Sequence, residues 1–286
     1  MENMFLFVGV CGALLVVTAA MPVFTPADQW HPQRIPNVVY RVFNHPNLTD
    51  HVEHIAQSGH IAHGMATVLV VPVDAERACT LCGVVHEYHT LVPGAYKADL
   101  VRYCLLWLYG GWYADIALDI IGDLTQFSNQ SLVVVQDLHR EGYWNGLIGS
   151  EPRHPALQQA MEMIKENVAA CFYGTRDLEP TGPTLWKIAC ATAHPSIILS
   201  AHAHDGGIMH INGHLAHNKF VGYKTHFLMM GYNTYNASYG DMWNQRRIYD
   251  PPCMPTGLSK RQATLDSIHR LRAHFATTEH DAIRTK

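Results

Sequence analysis

Four charged residues in the segment KADLVRYCLLWLYGGWYADIALDII, residues 97–121, have the types and spacing to do chemistry: Asp99, Arg102, Asp115 and Asp119. Asp99 and Arg102 lie three apart, so on a helix both side chains leave from one face. Taken alone, that pair also reads as a surface salt bridge. Asp115 and Asp119 stand among Trp, Ile and Leu, and burying a carboxylate without a partner is costly. Acids in such a run call for a metal, a cation or a ligand. On a continuous extended strand Asp119 would point to the same side as Asp115 but lie roughly 13 Å away, so the two do not hold one ion unless the chain turns between them.

The elements that must position these groups are legible from periodicity. Residues 95–109 carry helical apolar spacing, and Gly110-Gly111 stops that helix. WYADIALDII then reads as a strand by its alternation and β-formers. A tight turn thus sets two acid-bearing elements side by side, an arrangement suited to the end of a sheet, where α/β folds bind ligands. NVVYRVF, TVLVVPV and SLVVVQD read as further strands. Residues 74–90 read as a helix, as do HPALQQAMEMIKENV and GPTLWKIACATA, each with a proline in its first turn. Strands alternating with helices predict an α/β layered fold. The tail from Ser259, SKRQATLDSIHRLRAHF, reads as a packed amphipathic helix.

The run ADLVRYCLLWLYGGWYAD resembles the core of the DXD sugar-binding glycosyltransferases, in particular glycosyltransferase family 32. That pattern is an Asp, an Arg three later, Tyr-Gly-Gly, and then Tyr-x-Asp-x-Asp. Further matches follow in order: IPNVVYRVF to the opening strand, NGLIGSEPRHPALQQAM to an Asn and His-Pro segment, TGPTLWK to a Thr-Gly-Pro helix start, and YNASYGDMW to an aromatic C-terminal loop. The resemblance spans residues 35–250. It implies a GT-A fold, a single Rossmann-like nucleotide-sugar domain with a mixed central sheet over residues 37–257.

In this resemblance Asp99, Arg102 and Asp115 form the catalytic group. Asp99 and Arg102 lie against the donor sugar, with Tyr113, Asn145 and Trp243 as further donor contacts. Asp115 is the first DXD acid and holds a divalent metal, Mn²⁺ or Mg²⁺, against the donor diphosphate. The TYNASYGDMW loop closes over the donor and offers Asn236 as a second metal ligand. The reaction implied is transfer of a sugar from a nucleotide donor to a glycan, lipid or protein acceptor, with retention. The departure is at the second acid, where the chain has Ala117. That leaves open a catalytically weak or inactive sugar- or nucleotide-binding relative, and a metal-independent transferase.

The bulk numbers are compatible with this. The chain has 286 residues, 48% of them hydrophobic, and a formal net charge of −4. That balance gives no basic footprint for nucleic acid. Residues 4–21 are uncharged and nearly all apolar, close to the length of a bilayer span. Residues 1–24 therefore read as a membrane anchor or signal, or as a buried helix, followed by a linker at 25–36 and, at the far end, a helical tail at 258–286. Sequons at Asn47, Asn129 and Asn236 fit a lumenal, Golgi- or ER-type, single-pass protein, with a secreted or soluble protein as the alternative. Seven cysteines show no framework spacing. Cys79, Cys82, His86 and His89 fall on one face of the expected helix, but its outer two would be roughly 15 Å apart, too far to share one ion. In AHAHDGGIMHINGHLAHNKF, His202 and His204 would share a strand face and His210, His214 and His217 a helical one. Partly buried histidines are the expected reading there.

Overall fold

The computed structural model describes residues 4–10, 13–19, 34–42, 65–116, 118–138, 142–191, 193–203, 209–213, 215–218 and 238–251. Strands β1 (Met4–Val10), β2 (Ala13–Ala19), β3 (Val38–Val42) and β4 (Ala66–Val70) lead into helices α1 (Pro72–Leu81), α2 (Val85–Thr90) and α3 (Gly94–Tyr109). Strands β5 (Gly111–Ala114), β6 (Leu118–Ile120), β7 (Leu132–Gln136) and β8 (Tyr143–Ser150) follow. Helices α4 (Pro155–Ala169) and α5 (Pro183–Ala189) come next. Strands β9 (Ile197–Leu199), β10 (Ala201–Ala203), β11 (Met209–Ile211) and β12 (Ala216–Asn218) precede α6 (Tyr239–Asn244).

The chain is a mixed α/β fold. One sheet runs β2-β1-β4-β3-β5-β8-β7-β9, and a smaller one runs β10-β11-β12-β6. Neighbouring residues along the central strands go to opposite faces, as a period of two demands. Tyr40, Tyr113, Val134 and Ile148 pack with the helices in one core. Val39, Trp112, Val133 and Leu147 pack in a second core with Leu118, Ile120, Ile211 and Ala216 of the small sheet. Helices thus cover one face of the main sheet and the small sheet covers the other.

β3 is parallel to both β4 and β5, its neighbours on either side. The strand order reverses at β3, and in open α/β sheets ligands bind beyond the carboxyl ends of the strands at such a point. Asp115 immediately follows β5 at that end.

Several elements differ from the sequence expectations. Residues 74–90 are two helices, because the chain leaves α1 at Cys82 and takes a positive φ of 70° at Gly83. WYADIALDII is two strands in different sheets: the backbone N–H of Leu118 donates to the carbonyl of Asp115 (2.9 Å), turning the chain between β5 and β6. The 210–217 stretch is strand β11, a turn at Asn212-Gly213 and strand β12, not a helix. Residues 4–19 are two antiparallel strands, paired from Met4↔Ala19 to Val10↔Ala13, rather than one spanning helix. Their many Phe and Val residues suit a strand as well as a bilayer. Among the described residues no helix is long and apolar enough to cross a membrane. Residues 20–33, Ala117, Asn236 and the 258–286 tail lie outside the described residues.

Gly110 and Gly111 are required where they stand. Their φ values are 65° and 94°, and a Cβ would lie 2.6 Å from Pro152 Cδ at Gly110 and 2.6 Å from Val38 Cγ1 at Gly111. Helix α4 opens with His154 as its cap, whose Nδ1 accepts from the backbone N–H of Ala156 (3.3 Å) before Pro155 begins the first turn. His154 is 4% exposed, and burial lowers its pKa below 6.5. A group whose folded pKa is depressed contributes stability above its unfolded value and loses it as pH falls toward the folded one. Melting temperature is therefore expected to fall as pH drops below about 6.5, and His154→Asn, which keeps a cap acceptor, should flatten that part of the pH profile. An unchanged profile in the variant would assign the loss to other groups.

Candidate functional site

Asp99 and Arg102 leave one face of α3, as their spacing predicts, but they are inside the protein rather than on its surface. Asp99 is 7% and Arg102 5% exposed, and Arg102 Nη2 lies 3.0 Å from Asp99 Oδ1. The same guanidinium donates from Nη1 to the carbonyl of Asn145 (2.6 Å) and from Nε to that of Ala98 (3.1 Å). Its Nη1 is also 3.4 Å from Asp115 Oδ1, and it stacks over the Tyr113 ring at 4.3 Å. One planar fork thereby joins α3, β5 and β8, which a lysine point charge does not do.

Asp99 is saturated with donors. Thr181 Oγ1 donates to Oδ2 (2.7 Å) and Asn145 Nδ2 to Oδ1 (2.9 Å). Asn145 Nδ2 also donates to Tyr103 Oη (3.0 Å), and the Tyr103 hydroxyl donates to the Thr181 carbonyl (3.2 Å). Burial raises the Asp99 pKa, opposed by the Arg102 charge and by the Thr181 and Asn145 hydrogen bonds. For Arg102, burial works against the charge, and Tyr113, Asp99 and Asp115 outweigh it, so its pKa is raised.

Asp115 is the open member of the group, its side chain 37% exposed. Its Oδ1 accepts from the Tyr113 hydroxyl (2.8 Å). Its backbone N–H continues the β5–β8 pairing by donating to the Gly146 carbonyl (2.8 Å). Gly146 must lack a side chain here, because a Cβ would sit 2.5 Å from Asp115 Oδ2 and collide with Trp144. Arg41, buried near the end of β3, donates from Nη1 to the carbonyls of Asp115 (2.9 Å) and Leu118 (2.8 Å) and so grips the turn that carries the acid.

The structure therefore brings together Asp99, Arg102, Tyr113, Asp115 and Asn145. Trp243 is held elsewhere: its indole N–H donates to the Tyr173 carbonyl (2.6 Å). From the same helix α6 it is Tyr239 whose hydroxyl pKa is raised, by burial first and then by Asp177, Asp99 and Asp115. Sequence reasoning missed Tyr103, Thr181 and Arg41 as parts of this network. Thr181 heads the TGPTLWK segment, and that position was the available signal. Asp119 belongs to another place, on β6 in the small sheet.

The donor set for a divalent ion is one carboxylate with one engaged oxygen. Asp115 Oδ1 already serves Tyr113 and Arg102, and Oδ2 lies beside Gly146. Position 117 contributes no oxygen side chain. Among the described residues no group of three His, Cys, Asp or Glu side chains could hold a metal ion. One carboxylate plus diphosphate oxygens and water suits an ion such as Mg²⁺, which binds in that way. The residues present thus fit an ion that arrives with a diphosphate better than one held by protein alone.

No protein-family model matches the chain, and no curated relative matches it. Among solved structures the chain is similar to one titled PaToxG Glycosyltransferase, with 13% sequence identity and a TM-score of 0.40, over 58% of this chain and 71% of that one.

Proposed function

We propose that this chain is a glycosyltransferase of the GT-A type that transfers a sugar from a nucleotide donor to a glycan, lipid or protein acceptor. The observation that carries the reading is the buried Asp99–Arg102–Asn145 network ending in the open carboxylate of Asp115, at the strand-order switch beside β3. Fixed, satisfied polar groups next to one exposed acid are what a site needs to orient a polyhydroxylated ligand without reorganising. Asp99 and Arg102, with Tyr113 and Asn145, would form the fixed polar wall behind the donor sugar. Asp115, with Asn236, would hold a Mn²⁺ or Mg²⁺ ion. When bound, such an ion supplies the charge that the departing diphosphate needs. Arg102 keeps the Asp115 carboxylate in place, and Tyr113 fixes its orientation.

A second reading is favoured by a specific observation: Ala117 and the engaged Asp115 oxygen leave little metal ligation, so a sugar- or nucleotide-binding relative with weak or no turnover would look the same. A panel of UDP- and GDP-sugars, with and without Mn²⁺, separates the two by nucleotide release. The broken motif gives a sharper test. The natural protein is expected to bind Mn²⁺ poorly alone and better with donor, and the donor better with Mn²⁺, since such coupling is reciprocal. Ala117→Asp should strengthen donor-free Mn²⁺ binding by at least about tenfold, because a second carboxylate adds a hard ligand and charge. Unchanged affinity in calorimetry, with no nucleotide-sugar binding by either protein, would end the transferase reading.

For location, we propose a compartment of the secretory route. The Asn-x-Ser/Thr sequons at Asn47, Asn129 and Asn236 suit such a compartment. The sequon at Asn129 is exposed beside a turn.

A further inference from the structure

Three thiols that the sugar site does not use meet between α1 and α3. Cys79 and Cys82 lie three apart at the end of α1, so they share a face. That face packs on Cys104 of α3: the Cys104 thiol donates to Cys79 Sγ (3.9 Å), and the Cys82 thiol donates to the carbonyl of Cys104 (3.7 Å). All three are free thiols. Cys79 and Cys104 are 0% exposed, whereas Cys82, the residue that caps α1, is half-buried. The space beside that cap is open, since a Cβ on Gly83 would meet nothing within 4 Å. One thiol of the cluster is thus reachable from solvent, and the two that lie sulfur to sulfur are not.

We infer that these residues form a thiol–disulfide switch, in which Cys82 is the entry thiol for a small external disulfide such as oxidised glutathione and Cys79–Cys104 is the bond that closes. The Cys82 thiolate attacks one sulfur of oxidised glutathione, expels one glutathione thiolate and keeps the other half as a mixed disulfide. Cys104, which has Cys82 and Cys79 as hydrogen-bonding neighbours, gives up its proton and attacks Cys82 Sγ, expelling the second glutathione. Cys79 then attacks Cys104 Sγ and returns Cys82 to a thiol. In sum, two protein thiols become one disulfide and one external disulfide becomes two thiols, with two electrons and two protons passed outward. Only a thiolate attacks, and access sets the rate. Burial pushes the Cys104 thiol well above its ordinary range and hides Cys79 as well, so Cys82 starts the sequence. A disulfide is about 2.05 Å long, so closure draws the two sulfurs together by about 1.9 Å from their present 3.9 Å. It ties α1 to the helix that carries Asp99 and Arg102, two residues before Cys104.

The test uses the full chain, reduced and then equilibrated in a series of reduced-to-oxidised glutathione ratios. Free thiols are trapped by alkylation and the digest is read by mass spectrometry. A Cys79–Cys104 cross-linked peptide is expected to accumulate as oxidised glutathione rises and to vanish with dithiothreitol. The closed chain should melt about 5–10 °C above the reduced one, because the bond spans 25 residues of chain. Cys82→Ser should slow closure at least about tenfold and leave the final amount of cross-link unchanged. Cys104→Ala should stop at glutathione on Cys82. Absence of the Cys79–Cys104 peptide from the folded wild-type chain at every ratio overturns the inference, whether or not the variants fold. A closure rate unchanged in Cys82→Ser overturns it too, since the oxidant would then enter elsewhere. These readouts need no turnover, so they stand or fall apart from the sugar site.

Discussion

Arg102→Ala is expected to lower the free energy of unfolding by about 3–5 kcal/mol, the range for removing one partner of a buried ion pair. A surface pair would cost only about 0.2–1 kcal/mol, and burial decides between the two. The change strands Asp99 at 7% exposure, with only the Thr181 and Asn145 donors left to hold its charge. It also removes the donor to the Asn145 carbonyl and the cation over the Tyr113 ring. Arg102→Lys should fall between wild type and alanine, because one ammonium keeps a charge near Asp99 but not the fork to Asn145 and Asp115. Urea unfolding with a shifted midpoint and unchanged slope would report it. A loss below about 1 kcal/mol would return the pair to the status of a surface salt bridge.

Local spacing made part of this site legible and left part of it hidden. Asp99 and Arg102 share a helix face by their separation of three, and the double glycine announces the end of α3. The burial of that pair was not legible, because it depends on Asn145 and Thr181, which reach Asp99 across 46 and 82 residues of chain. Arg41 acts on the Asp115 turn across 74 residues. No window of sequence contains such contacts. The break in WYADIALDII was hidden because its alternation suits one strand or two, and the choice is made by Arg41 and by the Asp115–Leu118 turn. The same ambiguity covers residues 4–19, apolar enough for a bilayer and β-branched enough for a hairpin. The histidine segment is the extreme case. His210 and His217 read locally as one helical face, and only the register of four strands from two distant parts of the chain puts their positions on one rung with His202 and Asp119.

Asp115→Asn is expected to lower any nucleotide release from a sugar donor by about 10²–10³, the typical loss when one preorganised electrostatic group at a reacting centre is removed. It should change unfolding free energy by less than about 1 kcal/mol. The two expectations rest on different parts of the same side chain. Toward the protein, Oδ1 accepts from Tyr113 and faces Arg102, and an asparagine oxygen can do both. The ion pair with Arg102 lies at a side chain 37% exposed, where water screens much of its energy. Toward the open side, the substitution removes the charge of the one motif acid that the chain keeps. With Ala117 beside it in the pattern, no second acid there compensates, so the loss should exceed that in a motif with both acids. If the lost property is ion affinity, raising Mn²⁺ should restore part of the turnover in the variant, while raising donor alone should restore less. Steady-state rates across a Mn²⁺ series, with a melting curve on the same preparation, measure both. Wild-type turnover in Asp115→Asn would remove this carboxylate from the chemistry. A stability loss as large as that expected for Arg102→Ala would instead make Asp115 a structural partner of the buried network.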